Sequence, residues 1–205
     1  MSLYGRSALV KQLQPTHNRK LRRNNDLCSF QIRETPDGLK ITTAYARDLD
    51  FAVTANLYGL FQSQREATKA LTQIAEEHQL CKGLIGLEKI KSGSPCFGRQ
   101  LKRCKGACTG EEPRLAHDMR LIQGLARLKV QTWPFDGPAY LQEGQEILLV
   151  NYWAYLGSAR SEDDVLSLLG GADARFDRDT YNILVKIKDK LRSLDPIFSN
   201  NSPAN

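Results

Sequence analysis

No apolar run in the 205 residues approaches the roughly 20 that a membrane-spanning helix needs, so a membrane partner is not expected. The first residues, MSLYGRSALVKQLQPTHNRKLRR, contain no continuous apolar core followed by a small-residue cleavage site, and they do not read as a secretory signal. A reducing, cytoplasmic setting is the expectation that follows, and disulfides rarely persist there. Internal repeats and long low-complexity linkers are also missing. The 3 histidines, His17, His78 and His117, stand at no ligand spacing from one another or from the cysteines, and they read as surface or helix-face residues. Neither basic cluster is interleaved with aromatic residues, which argues against a platform for stacking single-stranded bases.

What is present is an ordinary globular composition, 41% hydrophobic and 25% charged, in a chain long enough for one large domain or two small ones, each with its own core. Crosslinks are therefore not required for folding. The net charge of +6 is uneven. It concentrates at Arg19, Lys20, Arg22 and Arg23, and again at Arg99, Lys102, Arg103 and Lys105, as expected of a protein that meets a polyanion.

Residues Ala8 to Leu13 have a short helical pattern that stops at Pro15. Alternation of apolar and polar residues on both sides of Thr35-Pro36-Asp37-Gly38 predicts a β-hairpin, and NLYGLF reads as a buried strand or turn. Ser63 with Glu66 has the spacing of a capping box and opens an amphipathic helix running to about Gln79, with Ala67, Ala70, Leu71 and Ile74 on one face. A second helix, roughly Pro113 to Leu128, places Leu115, Met119, Ile122 and Leu125 on one stripe. LKVQTWPF, PAYLQEG and QEILLVNYWAYLGSA carry the β-branched and aromatic residues of a small antiparallel sheet, whose aromatics Trp133, Tyr140, Tyr152, Trp153 and Tyr155 read as core. Ser161 with Asp164 caps a further helix ending at Gly170-Gly171, and FDRDTYNILVKIKDKL fits either a strand or a helix. The expected fold class is α+β: a mostly helical cysteine-rich region between a hairpin-plus-helix unit and a small antiparallel C-terminal sheet with flanking helices. The expected boundaries are 1–23, 24–80, 81–127, 128–192 and a disordered tail, 193–205.

Four of the 5 cysteines, Cys81, Cys96, Cys104 and Cys108, fall in one basic, glycine-dotted stretch, spaced C-x14-C-x7-C-x3-C. Such residues can converge on one point if the intervening segments are loops or single turns, giving a closed four-thiolate metal site. The neighbouring Lys102, Arg103 and Lys105 are expected to lower the thiol pKa values and favour the thiolate that binds metal. Zinc sites usually show two tight knuckles, whereas only Cys104 and Cys108 make a tight pair here. Irregular spacing suits an iron–sulfur site, and ligand type alone permits either occupant. Cys28, far off in a candidate strand, reads as a buried thiol.

QPTHNRKLRRNNDLCSFQI, NLYGLF, LCKGLIGLEKIKSGSPCFGRQLKRCKGACTG and LARLKVQTWPFDG together resemble the UvrC-like endonucleases of bacterial nucleotide excision repair, in particular their Cho branch, from about Ser7 to Lys190. The resemblance implies that Cys81, Cys96, Cys104 and Cys108 correspond to the family's four cysteines, with an iron–sulfur cluster, of the four-iron four-sulfur type, as expected occupant and zinc as the alternative. It also implies damaged double-stranded DNA as a partner and a UvrB-type repair protein as a further one. In that family, catalysis belongs to an N-terminal GIY-YIG domain built around one divalent metal. Residues 1–23 resemble only the end of such a domain, its last helix and a basic strand. Arg6 stands where family members carry the metal-binding glutamate, and Asn18 matches a Pro-x-x-Asn near the domain's end. The resemblance thus implies a DNA-binding, cluster-carrying portion without its own incision chemistry. The two basic clusters are candidate backbone contacts to duplex DNA, since Lys and Arg supply most non-specific affinity. The alternative is a stand-alone zinc-stabilised module whose basic face meets nucleic acid or an acidic protein.

Overall fold

The computed structural model of the chain describes residues Leu9, Leu13, 26–91, 93–171 and 175–194. Apart from Leu9 and Leu13, the helix expected over Ala8–Leu13 lies outside the described residues, as do Arg6, Asn18, Arg19, Lys20, Arg22, Arg23 and the tail from residue 195. The described residues are α+β, with short helices and two antiparallel sheets of three and four strands. They divide into two compact units, one over Asn25–Val130 and one built on the residues from Gln131 onward.

In the first unit, β1 (Cys28–Thr35) and β2 (Gly38–Tyr45) pair in register from Cys28↔Tyr45 to Thr35↔Gly38, leaving Pro36-Asp37 as the turn. That is the expected hairpin. Gly38 has φ 106°, a conformation that costs glycine little. β3 (Leu57–Phe61) pairs antiparallel with the other edge of β1, so the order is β2-β1-β3. Helix α1 (Gln64–Glu77) starts at the expected cap. Ser63 Oγ accepts from the Glu66 N–H at 3.2 Å, and the Glu66 carboxylate reaches back to the Gln62 N–H at 2.8 Å. Its buried face, Ala67, Leu71, Ile74 and Ala75, joins Phe30, Tyr58 and Phe61 of the sheet in one core.

After α1 the chain makes a run of turns broken by the four-residue helix α2 (Phe97–Gln100), and then enters α3 (Arg114–Leu125). The helical share of the cysteine-rich region is thus carried mainly by α3, and the thiols sit on turns. Of the stripe expected on α3, Leu125 is buried but the other three are turned outward: Leu115 is 73% exposed, Met119 65% and Ile122 37%. The buried face is His117, Asp118, Leu121 and Leu125. Polar groups can take the inner side when each finds a hydrogen-bond partner, and both do.

In the second unit, β4 (Ala139–Glu143), β5 (Glu146–Asn151), β6 (Ala154–Ala159) and β7 (Arg192–Ser193) form a sheet of order β6-β5-β4-β7. LKVQTWPF is not a strand; only Lys129 makes a bridge, to Tyr58 within the first unit. The segment QEILLVNYWAYLGSA is broken by a two-residue turn, Tyr152-Trp153, with φ 47° and 61°, between the paired Asn151 and Ala154. Helix α4 (Glu162–Gly171) begins where Ser161 Oγ accepts from the Asp164 N–H at 3.2 Å. The ambiguous segment is helical, as α5 (Arg178–Leu184) running into a 3-10 stretch, Val185–Lys190. Ser193 and Leu194 are tied in: Leu194 is buried, and its N–H donates to the Pro138 carbonyl at 3.0 Å. The expected disordered tail therefore does not include them. Among the described residues no helix is long and apolar enough to cross a membrane.

Candidate metal centre

The chain leaves α1 through His78 and Gln79, and it is already inside the core at Leu80 and Cys81. From there successive turns return three more thiols to the same place. The sulfurs of Cys81, Cys96, Cys104 and Cys108 all lie within 4.8 Å of one another. All four side chains are buried, with Leu84 and Ile90 packed against them, and no disulfide links any of the five cysteines. Sequence separation hides this convergence, yet the spacing permitted it, and the structure brings the four expected residues together.

Backbone N–H groups point at the sulfurs. The Cys96 N–H reaches Cys108 Sγ at 3.5 Å, the Gly106 N–H reaches Cys104 Sγ at 3.4 Å, and the Leu84 N–H bonds to Cys81. Gly106, at φ 89°, adopts the left-handed conformation that aims its N–H, and a Cβ there would stand 2.8 Å from Glu111 Cβ. These donors favour thiolate over thiol. Burial opposes them: it pushes the Cys81 thiol far above its usual range and Cys104 up to about 11. Burial raises Cys108 as well, but the Cys96 N–H and hydrogen bonds from the three neighbouring thiols outweigh it and hold Cys108 below its ordinary value. The expected lowering by Lys102, Arg103 and Lys105 is not what sets these thiols. Those three side chains are exposed, and burial, backbone donors and the other sulfurs dominate.

Four mutually close thiols compete for protons, so they are hard to ionise together without a cation among them. A bound metal ion or cluster resolves that conflict, and soft thiolate donors suit such a group. The geometry is compatible with a metal site.

His117 is a residue that sequence reading missed. Expected as a surface or helix-face residue, it lies fully buried on the inner face of α3, and its Nε2 accepts the Cys81 N–H at 3.1 Å. Nδ1 stands 3.1 Å from Asp118 Oδ1, to which it donates in the tautomer that leaves Nε2 free to accept. Burial lowers the His117 pKa, against an opposing hydrogen bond to Asp118, so the ring is neutral at pH 7. Asp118 also accepts from the Leu39 N–H at 2.8 Å and from Arg114 Nε at 2.9 Å, while Arg114 donates to the Leu39 carbonyl at 2.6 Å. A polar chain thus runs from the β-hairpin through α3 to the backbone of Cys81. It depends on Gly38, where a Cβ would stand 2.5 Å from Asp118 Oδ2. Arg120 makes a second tie, bonding both oxygens of Glu112 at 2.7 and 2.8 Å. One signal was available: His117, Leu121 and Leu125 recur every four residues and share a helix face.

Of the second basic cluster, Arg99 is engaged in two hydrogen bonds to the Glu111 carboxylate, one of them 2.9 Å long. Lys102, Arg103 and Lys105 are exposed and form no ion pair within 4.0 Å among the described residues, although, after Lys82, the Arg103 charge helps to lower the Glu76 pKa. Cys28 is a buried strand residue whose thiol is pushed up by burial, as expected of a structural cysteine.

Comparison with known proteins gives two adjacent matches. Residues 20–127 match the family model of the UvrC/Cho excinuclease middle domain, and residues 138–197 match that of the excinuclease Cho C-terminal domain. Proteins described as excinuclease Cho are similar throughout. That of Shigella flexneri is 41% identical over 182 residues, 87% of this chain and 60% of that protein. The Salmonella typhi protein is 42% identical over 182 residues, with the same coverage of 87% and 60%. The protein of Escherichia coli O6:H1 is 40% identical over 197 residues, 92% of this chain and 65% of that protein. The chain thus spans roughly 60% of the length of the curated relatives it matches. No solved structure matches it.

Proposed function

We propose, from the premise that the chain belongs to the UvrC/Cho excinuclease family, that these residues form the metal-bearing, DNA-binding portion of a Cho-type nucleotide excision repair endonuclease. One observation carries the reading: a closed set of four buried thiols, all within 4.8 Å, two of which flank a loop that carries the exposed cations Lys102 and Arg103. Cys81, Cys96, Cys104 and Cys108 would hold an iron–sulfur cluster, whose contribution here is to fix four turns that have little regular structure of their own. Lys102, Arg103 and Lys105, with Arg19, Lys20, Arg22 and Arg23, would contact the backbone of damaged double-stranded DNA, and Arg99 would orient that loop through Glu111. Arg6 stands at the family's glutamate position, so binding rather than incision is assigned to this chain. A UvrB-type protein partner follows from family membership alone.

A second reading of the occupant is favoured by the sulfur spacing. A tetrahedral ion with Zn–S bonds of about 2.3 Å holds its thiolates about 3.8 Å apart, close to the observed limit of 4.8 Å. The thiolates of a four-iron cluster each take a different iron and stand further apart. Visible absorbance with acid-labile sulfide supports the cluster, and colourless protein with zinc supports the single ion.

Fluorescence anisotropy with a labelled duplex, across a salt series, tests the DNA role. Binding that weakens steeply with salt is expected, with the slope reduced by about 1 for each phosphate-contacting lysine or arginine replaced. Binding that is absent at low salt, or unchanged by Lys102→Ala, Arg103→Ala and Lys105→Ala together, overturns it.

A further inference from the structure

Sequence reading found no aromatic residue interleaved with the basic clusters, but the fold supplies one. Five of the seven residues between Cys96 and Cys104, Phe97, Gly98, Leu101, Lys102 and Arg103, form one wall of a cleft of about 360 Å³, whose other wall is the end of α1 together with Gln79, Leu80 and Lys82. Phe97 and Leu101 line it and are 61% and 47% exposed, and the buried Ala75 and Leu80 belong to the same lining. Three cations, Lys82, Lys102 and Arg103, line it with one carboxylate, Glu76. Glu76 is paired with Lys82 at 2.9 Å and is also near enough to Arg103 for that charge to lower its pKa, so three cations share one carboxylate and the rim keeps a positive excess. An aromatic face beside an excess of positive charge is what a nucleotide needs: a surface for the base and charge for its phosphate.

The wall is also held in shape. The Arg103 N–H closes the loop onto the Gly98 carbonyl at 2.7 Å, Lys102 sits at φ 59°, and the Phe97 N–H donates to Glu88 at 2.9 Å. Both flanking residues belong to the four-thiol site, so a group bound there anchors the loop at its two ends. A volume of about 360 Å³ lies at the small end of ligand pockets, roughly 300–1,000 Å³.

We propose that this cleft takes a single unstacked nucleotide of DNA, its base against Phe97 and Leu101 and its phosphate on Lys102 and Arg103. The inference rests on the DNA-binding reading above and adds to it a preference for duplexes in which one base has left the stack. Apolar wedges of this kind exploit steps that are already unstacked, where the energetic cost is least.

The test uses the full, metal-loaded chain and two duplexes of one sequence, one perfect and one with a single-nucleotide bulge carrying 2-aminopurine. The bulged duplex is expected to bind about tenfold tighter, the order of one base–aromatic stack, with a change in 2-aminopurine fluorescence on binding. Phe97→Ala should remove most of that preference while leaving the perfect duplex and the metal content unchanged, and Phe97→Tyr should restore it. Salt-sensitive binding of both duplexes with equal affinity, or a preference that survives Phe97→Ala, overturns the nucleotide site and leaves the DNA-binding reading standing. Failure to bind either duplex overturns that reading itself. Capture of a polyglutamate peptide that depends on Phe97 and that DNA does not displace reassigns the cleft to an acidic protein, and also overturns the proposal.

Discussion

The two units solve the same problem, holding short elements in place, by different chemistry. Residues 131–194 rely on apolar and aromatic packing. Trp153 is fully buried, with its ring centroid 5.1 Å from Trp133 and 5.3 Å from Tyr181, and a separate apolar cluster joins Leu149 and Ala159 of the sheet to Val165 of α4 and to Leu194. Residues 25–130 have an apolar core under α1, but their cysteine stretch has none of comparable size. Four thiols, a few backbone N–H groups and the His117–Asp118–Arg114 chain occupy the place a core would take. On the proposed reading a bound group completes the first unit, whereas the described residues of the second are held by side-chain packing.

Both tryptophans, Trp133 and Trp153, belong to the second unit, so intrinsic tryptophan fluorescence follows that unit alone. The largest effect should come from Cys96→Ala with Cys104→Ala. Apparent stabilities from structural metal sites reach about 10–16 kcal/mol, so this pair should lose its metal and the cooperative melting of residues 25–130. The tryptophan-detected transition should stay in place. The converse is Trp153→Ala, which should lower the stability seen by tryptophan fluorescence by about 3–5 kcal/mol without changing metal content. Were metal lost there, the division between the units would be wrong.

A smaller effect is expected from Asp118→Ala, which strands the Leu39 N–H, Arg114 and His117 together. About 2–4 kcal/mol should be lost from the first unit. Alkylation of the metal-free protein, mapped by mass spectrometry, should show Cys81 reacting faster while Cys28 does not. Gly38→Ala attacks the same chain from the hairpin side and should cost about 1–3 kcal/mol, read from urea midpoints by circular dichroism. The smallest effect belongs to the outward stripe of α3: Met119→Ser should fall within about 0.5 kcal/mol. A larger loss would mean that this face is covered.

The hairpin could be read in advance because Pro36, Asp37 and Gly38 encode their turn locally, and α1 because Ser63 and Glu66 lie one helical turn apart. The four cysteines were legible as a set because they fall together in one short, glycine-dotted stretch whose loops let them converge. Two features resisted for identifiable reasons. His117 and Asp118 are buried by partners 36 and 79 positions away, at Cys81 and Leu39, and no window along the chain contains both ends. A hydropathy stripe of Leu115, Met119, Ile122 and Leu125 therefore takes in three residues of the side that faces out and only Leu125 of the buried face. The Tyr152-Trp153 turn has neither Asn nor Gly, the residues that normally announce paired positive φ values. Burial of the Trp153 indole holds the turn, and that is a tertiary cause. The cleft beside Phe97 was hidden similarly, since its two walls come from residues 75–82 and 97–103.

The central claim is that Cys81, Cys96, Cys104 and Cys108 close around a metal group that completes the first unit. Elemental and sulfide analysis of anaerobically purified protein, wild type beside Cys96→Ala/Cys104→Ala, tests it most directly. One site's worth of iron with sulfide, or of zinc, should accompany each wild-type chain and be absent from the variant. Wild-type protein that carries neither, yet melts cooperatively over residues 25–130 with all four thiols protected from alkylation, would contradict it.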